Sequence, residues 1–230
     1  MTVTDQEIDE QLQVNGLPSA ELLPIGQDPA DLPNPWRPIA TADEASARAD
    51  AALGLWNDAF LAMVPRTAEL FRNELVDVRV ARRDGGYQLV YVIEHYPGTP
   101  HREVRVWVGG ALDPAAELPQ LWDSVPAPLQ EFLLTVHGGL TAANRETFGP
   151  QAPRYLGTVA ENAGESDGIE GWEHQPDSTR LLVLATDGGV DCCVSPDLPA
   201  GEGVLIYDGD EPDPPQPLGE LLDEIIHATL

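Results

Sequence analysis

The sequence predicts an α+β protein in which antiparallel sheets are packed by helices. Three observations lead to this class. Short segments alternate apolar and polar residues, as half-buried strands do. Asp-Gly-Gly stretches at 84–86 and 187–189 separate pairs of such segments, and tight turns of this kind join antiparallel neighbours. Other segments place apolar residues three and four positions apart, which is the pattern of amphipathic helices.

The first 40 residues are acidic and rich in proline. They contain seven acids, one arginine and six prolines. A short helix is expected over 5–14, and the prolines from Pro18 to Pro38 argue against regular structure after it. Residues 1–40 are therefore predicted to form a mobile acidic arm, or a strap laid over the domain and pinned by Trp36.

A helix followed by an antiparallel meander is predicted over 41–119. Thr41 and Glu44 have the spacing of a capping box, which marks a helix start. The apolar stripe of this helix comprises Ala49, Ala52, Leu53, Trp56, Phe60, Met63 and Val64. Pro65 ends or kinks the helix, and a shorter helical segment continues to Glu74.

Three strands complete this module, with turns at 84–86 and 97–100. Their apolar faces comprise Val76, Val78 and Val80, then Tyr87, Leu89, Tyr91 and Ile93, then Val104, Val106 and Val108. The long helix is expected to cover one face of this sheet.

Residues 120–230 contain a helix, further strands and a final helix. Ser124 and Pro126 open the first helix, whose stripe comprises Leu129, Phe132, Leu133 and Val136. Gly138 is expected to be the left-handed residue after its end, and His137 to cap its C-terminus. Strands are predicted at 181–185, 190–194 and 204–207. The final helix carries Leu218, Leu221, Leu222, Ile225 and Ile226 on one face.

The charge of the chain excludes whole classes of partner. Its 230 residues include 39 acids and 12 basic residues, all arginine, so the formal net charge is −27. Nucleic acids and anionic membranes both require a basic surface, so neither is expected as a partner. No apolar run approaches the roughly 20 residues that span a bilayer, and the N-terminus lacks the features of a signal peptide. The sequence therefore predicts a cytoplasmic protein.

The acidic residues are concentrated towards the C-terminus. Residues 161–230 contain 17 acids and only Arg180 as a base. A solvated surface is one interpretation. The other is a negative field that steers a basic protein into place, and the one-sided distribution favours it because solubility alone does not need one.

No metal or cofactor is expected. The five histidines have no ligand spacing, and the acidic stretch 208–213 lacks the glycine position and the Glu of a calcium loop. Adjacent Cys192 and Cys193 would form a badly strained disulfide. They are predicted to be a reduced pair with one thiol in the core and one near the surface.

One sequence match suggests an enzyme. Gly164, Ser166 and Gly168 form a G-x-S-x-G pattern, with His227 downstream. A nucleophile elbow requires a buried strand before the serine and a helix after it, and the flanking residues here are polar and glycine-rich. A serine hydrolase built on Ser166 is kept as an alternative, and the sequence favours a non-enzyme.

Three ordered motifs over 120–230 resemble those of the SUKH superfamily, the Smi/Knr-type domain. They are the proline-led helix 124–132 closed by His137-Gly138-Gly139, the strand–turn–strand segment 182–191, and the short strand 203–208 that ends in an acid. His137 replaces the usual Asn and Val190 the usual Gly, so the turn at 187–190 is expected to differ from that of the family.

This resemblance implies a non-enzymatic binding protein. Family members include immunity proteins that neutralise bacterial toxins, many of them basic nucleases, and regulatory scaffolds of the fungal cell wall. The first role is predicted here, with a basic toxin domain as partner, and the second is the alternative. The candidate partner-binding residues are Asp187, Asp191, Asp208, Asp210, Glu211 and Asp213. The oligomeric state is left open.

Overall fold

The computed structural model describes residues 3–13, 19–143 and 149–228. The helices in these ranges are α1 (Asp5–Leu12), α2 (Arg37–Thr41), α3 (Ala45–Leu53), α4 (Asp58–Met63), α5 (Pro65–Glu74), α6 (Ala127–Thr135), α7 (Val159–Asn162) and α8 (Leu218–Ala228). The strands are β1 (Glu21–Leu22), β2 (Leu75–Arg83), β3 (Gly86–His95), β4 (Glu103–Gly110), β5 (Leu140–Ala142), β6 (Leu182–Thr186), β7 (Val190–Val194), β8 (Glu202–Tyr207) and β9 (Gln216–Pro217). The predicted α+β class is confirmed.

The first sheet has the strand order β1-β2-β3-β4-β5, and every pair is antiparallel. Asp84 and Gly85 join β2 to β3 with φ of 51° and 77°. Positive φ at both central residues is what a two-residue hairpin turn requires, so this turn is as predicted. β5 follows α6 in the chain and pairs with β4, so part of the predicted C-terminal module extends the sheet of the module before it.

The second sheet has the order β6-β7-β8-β9, again antiparallel. The three predicted strands correspond to β6, β7 and β8. Gly188 supplies the positive φ of the turn between β6 and β7, at 79°. Val190 begins β7 opposite Tyr207, which brings this turn beside the end of β8.

One core lies between the two sheets and the helices. It includes Tyr91 and Trp107 from the first sheet, Leu184 from the second, and Ile226 from α8. The five apolar residues predicted for the final helix are all buried here. The cluster draws on both predicted modules, from Leu32 onwards.

Asp223 of α8 connects the two modules by hydrogen bonds. It is 2 % exposed, and its carboxylate accepts from Arg66 N at 2.8 Å, Thr67 N at 2.7 Å and Thr67 Oγ1 at 2.6 Å. These amides belong to the first turn of α5, where N–H groups have no partner within the helix. Pro65 opens α5 and has no N–H. A residue from the other end of the chain thus caps this helix.

The N-terminal segment lies against the first sheet. Ile8 and Leu12 of α1 pack on the sheet face that points away from the main core, and β1 pairs with β2. Trp36 is buried in the main core. The described part of residues 1–40 therefore lies over the first sheet as a strap.

The single long helix predicted from Thr41 is wrong. Thr41 ends α2, and its hydroxyl donates to Arg37 O at 2.8 Å instead of capping a new helix. The chain breaks again at Gly54, and Asn57 caps α4 by accepting from Phe60 N at 2.6 Å. These local stop and start signals outweigh the continuous apolar stripe. Pro65 opens α5, which ends at Glu74 as predicted.

The predictions for Gly138 and His137 are also wrong. Gly139 has the left-handed backbone, with φ of 92°, and Gly138 does not. Gly138 is needed for space, because a Cβ there would lie 2.4 Å from Ala111 O. His137 is fully buried and contacts the core instead of capping α6.

Both cysteines are fully buried, so the prediction of one surface thiol is wrong. Cys192 faces the main core, and Cys193 faces a smaller cluster on the other side of the second sheet. That cluster exists because the segment carrying Val159, Ile169 and Trp172 covers the outer face. Burial raises the pKa of Cys192 to about 12 and that of Cys193 well above its ordinary value.

Candidate functional site

The predicted acidic residues meet at one end of the second sheet. Asp187 lies in the turn between β6 and β7, Asp191 is the second residue of β7, and Asp208 follows β8 directly. Asp208 N donates to Gly189 O at 2.7 Å, which fixes the end of β8 to the turn. The backbone reverses here through positive φ at Asp208 and Gly209.

The other three acids follow on the loop after β8. Asp210 N donates to Tyr207 O at 2.8 Å, and Asp213 N donates to Leu205 O at 2.9 Å. The loop therefore folds back along β8 and carries Glu211 with it. We call Asp187, Asp191, Asp208, Asp210, Glu211 and Asp213 the acidic end.

Exposure divides these acids into two kinds. Asp208, Asp210 and Glu211 are exposed, whereas Asp187, Asp191 and Asp213 are half-buried. Desolvation raises the pKa of Asp191, and a hydrogen bond with Thr186 opposes the rise. The exposed three present the charge that a partner would meet first.

The segment that carries the acidic end contains no arginine to neutralise it. Residues 181–230 contain neither lysine nor arginine. Arg180 lies before β6, at the opposite end of the sheet, and its Nη2 pairs with Asp197 Oδ1 at 2.7 Å. In the first sheet, by contrast, acids are paired: Asp77 with Arg48, Asp5 with Arg79, and both Glu7 and Glu94 with Arg102.

Among residues 3–13, 19–143 and 149–228, no group of three or more His, Cys, Asp or Glu side chains is arranged to hold a metal ion. Across the same residues, no helix has the length and apolar character needed to cross a membrane.

Ser166 lies in an exposed turn that follows the short helix α7. Thr158 and Glu161 cap α7 reciprocally, and positive φ at Gly164 and Gly168 shapes the turn. No strand leads into the serine, so the geometry of a nucleophile elbow is missing from this segment.

A series of hydrogen-bonded polar side chains is buried in the core, where a substrate has no access. Trp56 Nε1 donates to Tyr91 Oη at 3.0 Å, and Tyr91 Oη lies 2.6 Å from His137 Nε2. Burial lowers the pKa of His137 to about 3 and raises the pKa of Tyr91. The imidazole is therefore neutral at pH 7, and its Nε2 accepts a hydrogen bond from the Tyr91 hydroxyl.

Sequence reasoning missed a pair of adjoining clefts beside α6. The larger, of about 790 Å³, runs over the ends of β3 and β4, and the smaller, of about 390 Å³, lies against α6. Their shared floor depends on glycine: Gly138 N donates to Gly110 O at 3.0 Å, and a Cβ on Gly110 would lie 2.5 Å from Gly138 O.

The clefts are bordered by exposed apolar side chains. We call Leu112, Leu118, Leu134 and Tyr155 the apolar patch, and they are 38 %, 48 %, 46 % and 64 % exposed. One sequence signal could have found it: Leu134 is apolar but lies outside the predicted stripe of α6. Comparison of the chain with protein-family models, curated proteins and solved structures finds no match.

Proposed function

We propose that this chain is a non-enzymatic protein-binding module, an immunity protein acting inside the cell on a basic toxin domain. The observation that carries the proposal is the acidic end. Six acids are gathered at one end of a sheet, and residues 161–230, which include all six, contain no lysine and Arg180 as their one arginine.

The geometry suits recognition of a basic surface. The exposed carboxylates lie on the loop after β8, which the second sheet supports, and loops on rigid scaffolds commonly carry binding residues. A field of one sign raises the rate of encounter with an opposite charge and suppresses the wrong partners. A toxin that cleaves nucleic acid has a basic active site, which such a surface would occupy.

The resemblance to the SUKH superfamily supports the same role. The strand–turn–strand motif and the short strand ending in an acid, on which it rests, are the elements that form the acidic end. The regulatory scaffold remains the alternative, and it would use the same surface for several partners. For a hydrolase, the exposed turn around Ser166 offers no support.

The test is co-expression with a basic toxin domain encoded by a neighbouring gene. The wild-type chain is expected to restore growth and to bind the purified toxin domain. A variant with Asp208, Asp210 and Asp213 changed to Asn and Glu211 to Gln should associate about tenfold more slowly at low salt, with a flatter salt dependence.

A charge-matched control separates local recognition from net charge. Asp43, Glu44, Asp50 and Glu69 are exposed acids in the N-terminal half. Changing these four to Asn or Gln should leave association within about twofold of wild type, since they lie outside the acidic end. Equal rates for both quadruple variants would contradict recognition by the acidic end. A wild-type chain that neither binds nor protects would contradict the immunity role.

A further inference from the structure

Most of the exposed large apolar side chains among the described residues belong to the apolar patch. Across residues 3–13, 19–143 and 149–228, seven large apolar side chains are exposed, and four of them form the patch. The other three, Ile25, Tyr96 and Tyr207, lie elsewhere in the fold. Single exposed apolar residues are ordinary, but a contiguous patch marks an interaction surface.

The patch combines a hollow with a protruding side chain. The smaller cleft, about 390 Å³, is lined by Leu118, Leu133 and Leu134 among other mainly apolar residues. Tyr155 stands beside it on the wall of the larger cleft and is 64 % exposed. The guanidinium of Arg154 lies over its ring, 4.7 Å from the ring centre, which is the distance of a cation–π contact.

The clefts beside the patch have no formal net charge, whereas the whole chain is strongly acidic. The charged residues that line the two clefts are Arg83, Arg154, Asp84 and Asp113, so their formal charges cancel. Arg154 already pairs with Asp113, at 3.3 Å. Two copies of a chain with net charge −27 repel each other over most of their surfaces, and the clefts are a place where they can approach.

From these observations we infer that a second copy of this chain docks on the apolar patch. A two-fold dimer requires a surface that is complementary to itself. Here the Tyr155 ring of each copy would fill the smaller cleft of the other. Arg154 of one copy would then face Asp113 of the other. The acidic ends lie outside the contact, so the dimer does not depend on the proposed function.

Sedimentation velocity of the full chain tests the inference. At about 100 µM we expect a dimer, and a larger dimer fraction at about 1 M NaCl than at about 0.15 M because salt screens the repulsion between copies. Leu134→Glu should raise the dimer dissociation constant at least about tenfold, since it buries a charge against the cleft. Ile25→Glu, at an exposed site outside the patch, is the matched control. A chain that is monomeric at both salt concentrations, or a dimer that Leu134→Glu leaves intact, would overturn the inference.

Directed cross-linking tests the arrangement and does not depend on affinity. Tyr155→Cys mixed with Leu118→Cys should give a disulfide-linked pair under mild oxidation, because the tyrosine position enters the cleft that Leu118 lines. The native thiols do not compete, since Cys192 and Cys193 are buried. Ile25→Cys mixed with Leu118→Cys should not cross-link. Equal cross-linking of the two mixtures would overturn the proposed contact.

Discussion

Asp223→Ala removes the cap of α5 and should cost about 3 kcal/mol of unfolding free energy. The carboxylate is 2 % exposed and accepts three hydrogen bonds, two of them from backbone amides. A hydrogen bond to a charged group contributes about 1.5–3 kcal/mol, and such bonds are not additive within one network. Thr67 is fully buried, so water cannot replace the acceptor on its side. The amide of Arg66 is only partly buried and recovers part of its loss from solvent.

Urea denaturation followed by tryptophan fluorescence measures this effect, since Trp56 lies in the core beside α4 and α5. Glu224→Ala is the control, because Glu224 is the exposed neighbour on the same helix. Asp223→Asn keeps one acceptor oxygen and should fall between Asp223→Ala and wild type. If the unfolding free energies of Asp223→Ala and Glu224→Ala differ by less than about 1 kcal/mol, the Asp223 cap is not a major source of stability.

Three further outcomes are expected. His137 has a pKa of about 3 in the fold against an ordinary value of 6.5, so its contribution to stability is present above pH 6.5 and is lost as pH falls towards 3. Urea titrations at pH 7 and pH 4 should show that the unfolding free energy falls by about 3 kcal/mol, and His137→Asn should largely remove this difference. An unchanged pH dependence in that variant would contradict the assignment. Gly138→Ala should lower the free energy of unfolding by about 2 kcal/mol, because the new Cβ meets the backbone of Ala111. Glu131→Ala, at an exposed position of α6, should not. Equal melting temperatures for the two variants would refute the close approach. Ser166→Ala should leave toxin binding unchanged, and stoichiometric labelling of Ser166 by a fluorophosphonate would instead support the hydrolase.

The acidic end shows how much local patterns predict. The sequence predicts β6, β7, β8 and α8 because short strand-length segments, the Asp-Gly-Gly turn at 187–189 and a regular helical stripe are each encoded by neighbouring residues. Placing Asp187 beside Asp208 needed only the inference that neighbouring strands are antiparallel. The pattern does not predict exposure, such as the half-burial of Asp191, because exposure depends on tertiary contacts that no local pattern encodes.

The clefts and the broken helix show the limits of the same reasoning. The cleft floor forms where Gly110 meets Gly138, a contact between segments that no periodicity relates. The residues of the stripe from Ala49 to Val64 are buried or partly buried. Helix ends, however, depend on capping free energies of a few tenths to about 2 kcal/mol, and Gly54 and Asn57 provide the stop and start signals here. The two-residue strands β1 and β9 are too short to leave a pattern.

The cap on α5 also sets when the chain can finish folding during synthesis. Asp223 is 157 positions after Arg66, so the amides at the start of α5 have left the ribosome long before their acceptor has been made. The first sheet likewise waits for β5, and the main core waits for Ile225 and Ile226. Domains generally fold as units during synthesis, and this unit is complete only after α8 has been made. A nascent chain paused before residue 218 would expose apolar surface around α5, and it is at this stage that a chaperone would engage it.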